Sequence, residues 1–220
     1  MRIAHVSDVY LPQLGGIELH VHDLASRQHR LGHDSVVVTT TPGGPEHSTD
    51  APVHRFAAHG LLTPSATARA IRDAVRLLTA RRVDVVHGHV SVISPFAMGV
   101  LQAAARTGIP AVVTMHSMWE EFGGVPRWLV CPVGAREWPV VWTAVSGSAA
   151  TSFARVLGGD IAVGVLPNAV DPEPWRRLAS RRTNRSAGPL RVVSVMRLVS
   201  RKRPLPLIKI IDRADRALAD

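Results

Sequence analysis

Two adjacent glycines stand where an apolar run gives way to helical periodicity near the start of the chain. These are Gly15 and Gly16, which follow the stretch VYLPQL and open onto IELHVHDLASRQHRL. Glycine lets a backbone approach a ligand closely, and the free N–H groups and dipole of a helix start favour an anion. An ordinary tight strand-to-helix turn explains the same pair, so both interpretations stay open on these residues alone.

Three histidines form a second group, because each stands at the carboxyl end of a predicted strand: His87, His89 and His116. In an open parallel sheet, ligands bind outside those strand ends. His87 and His89 are two residues apart and should point to one side, which could suit a metal. No third ligand is evident, so we predict no metal site. We interpret the pair as a polar cleft lining or as structural histidines, and His116 as the better functional candidate.

The third group is cationic and lies in the turn MRLVSRKRP. Arg197 and Lys202 flank this turn, where an arginine fork and a lysine point charge can hold a diphosphate. A solvated loop is the alternative, and we expect it for Arg201 and Arg203.

Apolar patterning predicts an alternation of strands and helices that would position these groups. The predicted strands are Ile3–Val6, Val36–Thr40, Val53–Ala58, Val83–His89, Pro110–His116, Val140–Val145, Ile161–Pro167 and Leu190–Met196. The predicted helices begin near Ile17, Pro95, Ser148 (as N-cap) and Pro204, with Gly32 and Gly108 as stop signals. One further helix is predicted from the apolar face formed by Ala68, Ile71, Val75 and Leu78. Strands that are apolar throughout and alternate with helices indicate an α/β fold, a parallel sheet with helices on both faces.

A composition break divides the chain. Residues 172–189 are rich in Pro, Ser, Asn and Arg and are interpreted as a linker, solvated rather than ligand-binding. We predict a first domain over residues 1–171 and the first βα unit of a second domain over residues 190–220.

Composition narrows the class of protein. The chain has 220 residues, 46% of them hydrophobic, a net charge of +9 and one cysteine, Cys131. A single cysteine forms no internal disulfide and fits a reducing cytoplasm. The basic charge is spread out and aromatics are few, so we do not expect nucleic-acid binding. The glycines do not form G-x-G-x-x-G, and no acidic residue closes the second strand, which argues against a nicotinamide dehydrogenase. We find no signal peptide and no apolar run that would span a bilayer.

Seven ordered segments together resemble the family 4 retaining glycosyltransferases of the GT-B fold. They are RIAHVSDVYLPQLGGIELHV, RLGHDSVVVTT, DVVHGHV, VVTMHS, TAVSGSAA, VLPNAVD and VVSVMRLVSRKRPLPLI. The resemblance implies two facing Rossmann-like domains, the first mainly for the acceptor and the second mainly for the sugar nucleotide. It implies that Gly15 and Gly16 meet the donor diphosphate, that His116 orients the transferred sugar, and that Arg197 and Lys202 stabilise the departing nucleoside diphosphate.

The expected activity is transfer of a sugar from a nucleotide donor, of the GDP-mannose or UDP-sugar type, to an acceptor hydroxyl with retention of configuration and without a metal or other cofactor. The acceptor could be a polyol, a glycan or a lipid-linked sugar. Acceptor-side candidates are Asp8, His87, His89, Trp119 and Phe122. We expect a cytoplasmic protein, with peripheral membrane association and a homodimer left open.

One departure from the family pattern concerns the second domain. The family carries two glutamates that grip the donor sugar and ribose, and they fall after the last residue of this sequence. We therefore expect the 220-residue chain alone to show no donor turnover. The alternatives are a non-catalytic module that binds a phosphorylated ligand or a partner, or an inactive fragment.

Overall fold

The computed structural model describes residues 1–44, 50–57, 64–118, 134–179, 191–196 and 198–219. These divide into two compact units, Met1–Asp171 and Pro172–Asp220. The predictions for Trp119, Phe122 and Arg197 fall outside the described residues.

The first unit is built on one sheet of seven strands, all paired in parallel. The strands are β1 (Arg2–Ser7), β2 (Asp34–Thr39), β3 (Val53–Arg55), β4 (Val85–Val90), β5 (Ala111–Met115), β6 (Val141–Ala144) and β7 (Gly164–Val165), in the spatial order β3-β2-β1-β4-β5-β6-β7. The helices are α1 (Gly16–Arg30), α2 (Pro64–Ala80), α3 (Pro95–Thr107) and α4 (Gly147–Leu157). Strand order reverses direction at β1, the topology that places a ligand crevice beside β1 and β4.

Helices cover both faces of the sheet, as the apolar strands predict. On β2, Val37 packs with Val21 and Ala25 of α1, whereas Val36 and Val38 belong to the cluster that contains α2, α3 and α4. Neighbouring residues of a strand point to opposite faces, so α1 lies on one face and the other three helices on the opposite one. This confirms the predicted Rossmann-like α/β architecture.

Helix ends follow the local chemistry of their residues. Helix α3 begins with Pro95 and ends before Gly108, which adopts φ +74°, as predicted. The expected cap of α4 at Ser148 is wrong by two residues. The N-cap is Ser146, whose Oγ accepts the N–H of Ala149 at 3.2 Å, because only a residue before the first turn can reach that group.

Three predicted strands are shorter than expected or absent. The strand predicted over Val53–Ala58 ends at Arg55, and only Gly164–Val165 of Ile161–Pro167 pairs with the sheet. Residues 191–196 of the predicted strand Leu190–Met196 form no ladder. An apolar run becomes a strand only where a neighbour supplies hydrogen bonds, and here Val193 and Val195 are 83% and 95% exposed.

The second unit contains two helices among its described residues. They are α5 (Glu173–Ala179), inside the range interpreted as a linker, and α6 (Pro204–Ala219), at the predicted position. Between them a 3₁₀ turn spans Ser200–Lys202. Within the described parts of the chain, no helix is both long and apolar enough to cross a membrane.

Candidate active site

Helix α1 starts at the two glycines. Gly15 is its N-cap, in extended conformation, and Gly16 is its first residue. The carboxylate of Glu18 folds back over Gly15 and is buried, so a Cβ at position 15 would collide with it. A Cβ at Gly16 would meet nothing within 4 Å. A side chain at position 15 would therefore have to displace the Glu18 carboxylate, whereas packing gives no reason for glycine at position 16.

Asp8 links the end of β1 to the start of α3. Its two carboxylate oxygens accept the backbone N–H groups of Phe96 and Ala97, each at 2.9 Å. Burial raises the pKa of Asp8 to about 6, although those N–H groups lower it. The carboxylate thus serves as a cap for α3, and its contact with an acceptor stays a prediction.

A cluster of five histidines lies on the face of the sheet that α1 covers. His87 and His89 point to the same side of β4, as predicted, with ring centroids 4.1 Å apart. His89 Nδ1 lies 3.1 Å from Nε2 of His116, which follows β5. Two further members come from β1 and α1: His5 and His20. We call these five side chains the histidine cluster.

His20 connects the glycine pair to the histidine cluster. It stands four residues after Gly16, one helical turn along α1. Its ring centroid is 5.4 Å from that of His116 and 5.8 Å from that of His89. The first turns of α1 and the carboxyl ends of β4 and β5 therefore meet at one edge of the sheet.

The ring nitrogens of the cluster are mostly satisfied by one another. His5 Nδ1 is 3.0 Å from His89 Nε2, and His5 Nε2 is 2.6 Å from Gln28 Oε1. His87 Nε2 is 2.7 Å from Thr114 Oγ1. Buried nitrogens without a partner among the described residues include Nδ1 of His20 and Nδ1 of His116. Both atoms are buried, so a ligand would reach them only after a rearrangement that exposes them.

Burial keeps the cluster uncharged at neutral pH. It lowers the pKa of His5 to about 4 and that of His116 to about 4. The pKa of His87 falls to about 3, through burial and then repulsion from the other histidines. The same two causes hold the pKa of His89 well below its usual value. The site thus offers polar nitrogens without positive charge.

Two sets of three histidines bring one ring nitrogen each within 4.8 Å of one another: His5, His87 and His89, and His20, His89 and His116. Both ring nitrogens of His89 already face His5 and His116. An ion bound to either set would therefore have to displace histidine–histidine hydrogen bonds. That the reaction needs no metal stays a prediction.

The remaining predicted residue lies in the second unit. Lys202 ends the 3₁₀ turn and its side chain is exposed. Its proposed contact with a diphosphate, like that of Arg197, stays a prediction.

Sequence reasoning missed His5 and His20. The signal for His5 was strand alternation: HVS on β1 and HGH on β4 place polar residues on one face, and the register pairs His5 with His87. His20 carried a weaker signal, since only its spacing of one turn from Gly16 sets it apart on a helix that also carries His22 and His29.

Comparison with known proteins identifies the family of the chain. The model of Glycosyltransferase Family 4 matches residues 14–174. The match covers more than half of the chain and includes α1, β4, β5 and His116. The chain belongs to glycosyltransferase family 4, as the ordered motifs predicted.

The chain is also similar in sequence to individual proteins. One is a human protein named as a subunit of phosphatidylinositol N-acetylglucosaminyltransferase, to which the chain is 28% identical over 220 residues, covering 91% of this chain and 42% of that protein. Another is the alpha-monoglucosyldiacylglycerol synthase of Acholeplasma laidlawii, 30% identical over 130 residues, covering 56% of this chain and 31% of that one. The chain thus spans less than half the length of these curated relatives.

A solved structure shares the fold. A glycosyltransferase from Rickettsia africae superimposes with a TM-score of 0.53 at 16% identity, covering 81% of this chain and 48% of that chain.

Proposed function

We propose that the complete protein transfers a sugar from a nucleotide-sugar donor, of the GDP-mannose or UDP-sugar type, to an acceptor hydroxyl with retention of configuration. The observation that carries this proposal is the meeting of the α1 start with His116, through His20, within the family-matched region. A polar but uncharged imidazole beside a helix start suits a ligand with a hydroxyl-rich part next to an anionic part. A nucleotide-activated sugar has that composition.

The proposed chemistry divides between the helix start and the histidines. The N–H groups at the start of α1, beside Gly15 and Gly16, favour the negative diphosphate. As the bond from the anomeric carbon to the diphosphate oxygen breaks, its electron pair and growing negative charge pass to the diphosphate. The acceptor oxygen forms the new bond to the anomeric carbon, and its proton goes to the departing diphosphate oxygen. Fixed donors and cations that face this charge stabilise the transition state more than the ground state. Arg197 and Lys202 are proposed as those cations, without a metal.

His116 is proposed to orient the sugar rather than to move a proton. Its pKa of about 4 makes it a weak base at neutral pH. Each oxygen of Asp8 accepts a backbone N–H group of α3, so this carboxylate is proposed to hold the start of α3 in place beside the acceptor.

The acceptor is proposed to be a hydroxyl on a lipid headgroup at a membrane surface. Two relatives have names that include a phosphatidylinositol and a diacylglycerol lipid. The net charge of +9 favours approach to an anionic surface. Since the human relative is named as one component of a larger transferase, a partner protein at the same membrane is consistent with the proposal.

A donor and acceptor screen tests the proposal. The product of the complete reading frame is incubated with GDP-mannose, UDP-glucose or UDP-N-acetylglucosamine, and with vesicles that contain phosphatidylinositol or diacylglycerol. Release of nucleoside diphosphate that depends on vesicles supports a lipid acceptor, and release with a soluble polyol alone contradicts it. The anomeric proton coupling of the product decides retention.

A further inference from the structure

We propose that a hydrogen-bonded chain from Gln28 through His5 and His89 fixes the tautomer of His116, so that His116 presents an unprotonated Nδ1 at the site. Gln28, His5 and His89 are then positioning residues, which act on a ligand only through His116. The proposal rests on the proposed function only where it places a sugar beside His116. The tautomer follows from contacts within the protein.

The chain consists of three consecutive short contacts. Gln28 Oε1 lies 2.6 Å from His5 Nε2, His5 Nδ1 lies 3.0 Å from His89 Nε2, and His89 Nδ1 lies 3.1 Å from His116 Nε2. His5 and His89 therefore use one ring nitrogen for each neighbour. The chain ends at His116 Nδ1, which is buried and has no partner among the described residues.

The direction of every hydrogen bond follows from the amide oxygen at the start. An amide oxygen only accepts, and the hydroxyl of Ser35 faces the same oxygen at 3.4 Å. His5 must therefore donate from Nε2. A neutral imidazole has a single N–H, so His5 Nδ1 accepts, and His89 must donate from Nε2.

The same step repeats once more along the chain. Since His89 donates from Nε2, its Nδ1 accepts, and His116 must donate from Nε2. Neutral His116 is then left with a lone pair at Nδ1. All three rings must be neutral for these directions to hold, and their burial and mutual repulsion keep them so at pH 7.

A second chain on the same face provides an internal control. Thr143 Oγ1 donates to the carbonyl of Val113 at 2.8 Å, so it accepts from Thr114 at 2.8 Å. Thr114 in turn accepts from His87 Nε2 at 2.7 Å. This second chain starts at the carbonyl of Val113 and makes Nε2 of His87 the protonated ring nitrogen. It does not include His116.

The chemical consequence is a selective contact at His116. A bare Nδ1 accepts a hydrogen bond from a hydroxyl and repels a phosphate or carboxylate oxygen. The group beside His116 must therefore be a hydrogen-bond donor, such as a sugar hydroxyl. A diphosphate is excluded from this position and is left to the start of α1.

Nuclear magnetic resonance of the 220-residue chain with ¹⁵N-labelled histidine tests the tautomers directly at pH 7. Long-range ¹H–¹⁵N correlations distinguish Nε2–H from Nδ1–H rings. We expect Nε2–H for His5, His89 and His116, with ¹⁵N–¹⁵N couplings across the two histidine–histidine hydrogen bonds. An Nδ1–H signal for His116, or the lack of a coupling between His89 and His116, would overturn the proposal.

Two variants test which residue sets the direction. Gln28→Met removes the acceptor at similar size, and we expect His116 to lose its single tautomer and show both forms. Thr114→Val breaks the second chain at similar size, and we expect the tautomer of His116 to be unchanged. An unchanged His116 in Gln28→Met, or an altered one in Thr114→Val, would refute the assigned chain. If Gln28→Met does not fold, the tautomers of the unsubstituted protein decide the question.

Sugar transfer by the complete enzyme distinguishes a failure of this proposal from a failure of the proposed function. If the complete enzyme transfers sugar, Gln28→Met should lower kcat about tenfold and leave KM for the lipid acceptor unchanged, because it acts on sugar orientation. If the tautomers are as stated but no donor is turned over, the proposed function fails and the tautomer chain stands.

Discussion

Lowering the pH from 7 to 5 should destabilise the first unit sharply, because its histidine cluster is folded in the neutral form. His5 and His116 have a pKa of about 4, and His87 of about 3, all below the ordinary value of 6.5. The stability that neutral rings contribute is present above pH 6.5 and is lost as the pH falls towards the folded-state pKa values. Over this interval the unfolded chain takes up protons that the folded chain refuses.

The magnitude follows from proton linkage. Each of these three histidines lowers the free energy of unfolding by about 2 kcal/mol between pH 7 and pH 5, or by about 6 kcal/mol together. Asp8 acts in the opposite direction, because its pKa of about 6 means that protonation relieves a buried charge, and it returns about 1 kcal/mol. The net loss is about 5 kcal/mol, and His89 adds to it in the same direction. This is a large part of a typical domain stability of about 5–15 kcal/mol.

Urea unfolding at pH 7, 6 and 5 measures this loss, followed by tryptophan fluorescence, since Trp142 lies in the core. His87→Gln should reduce the difference between pH 7 and pH 5 by about 2 kcal/mol. His29→Gln, at an exposed position on α1, is the matched control and should leave it unchanged. Equal stability at pH 7 and pH 5, or an equal decline in His87→Gln, would refute the reasoning.

Three further predictions concern the proposed site. Gly16→Ala should change stability by less than about 0.5 kcal/mol, because a Cβ there meets nothing, but should lower transfer by the complete enzyme if the diphosphate contacts this backbone. Full transfer activity in Gly16→Ala would argue against the diphosphate contact. Gly15→Ala is the comparison variant: it displaces the Glu18 carboxylate, so it should lower the free energy of unfolding in urea by about 1 kcal/mol. His116→Ala should lower kcat about a hundredfold and acceptor affinity much less, and the reverse pattern in steady-state kinetics would make it an acceptor ligand. Arg197→Ala or Lys202→Ala should abolish transfer, and an unchanged kcat in either would remove that residue from the diphosphate site.

The sheet and its helices could be predicted because their signals are local. An apolar run such as VVVTT predicts a buried strand from its own residues. Pro95 and Gly108 likewise mark the start and the end of a helix. The strand prediction for residues 191–196 was wrong, because an apolar run does not show whether a partner strand lies beside it.

The site was only partly predictable for a related reason. Gly16 could be proposed from its position at the start of a predicted helix, and His116 from its position at the end of a predicted strand. His5 joins His89 through β1–β4 pairing, and Gln28 joins His5 from α1. Such contacts connect residues separated by 84 and 23 positions. Alternation along a strand shows which face a residue occupies, but not which distant side chain it contacts.

The uncharged state of the histidine cluster has a consequence for ionic strength. Hydrogen bonds to neutral imidazoles do not depend on counterions, whereas attraction between a diphosphate and cationic side chains weakens as the Debye length shrinks from about 10 Å at 0.1 M salt to about 3 Å at 1 M. In the proposed binding mode, added salt should therefore weaken the binding of a nucleoside diphosphate and leave the proposed contact between the sugar and His116 unchanged. The contributions of the sugar and of the diphosphate to binding could then be distinguished by their dependence on salt concentration.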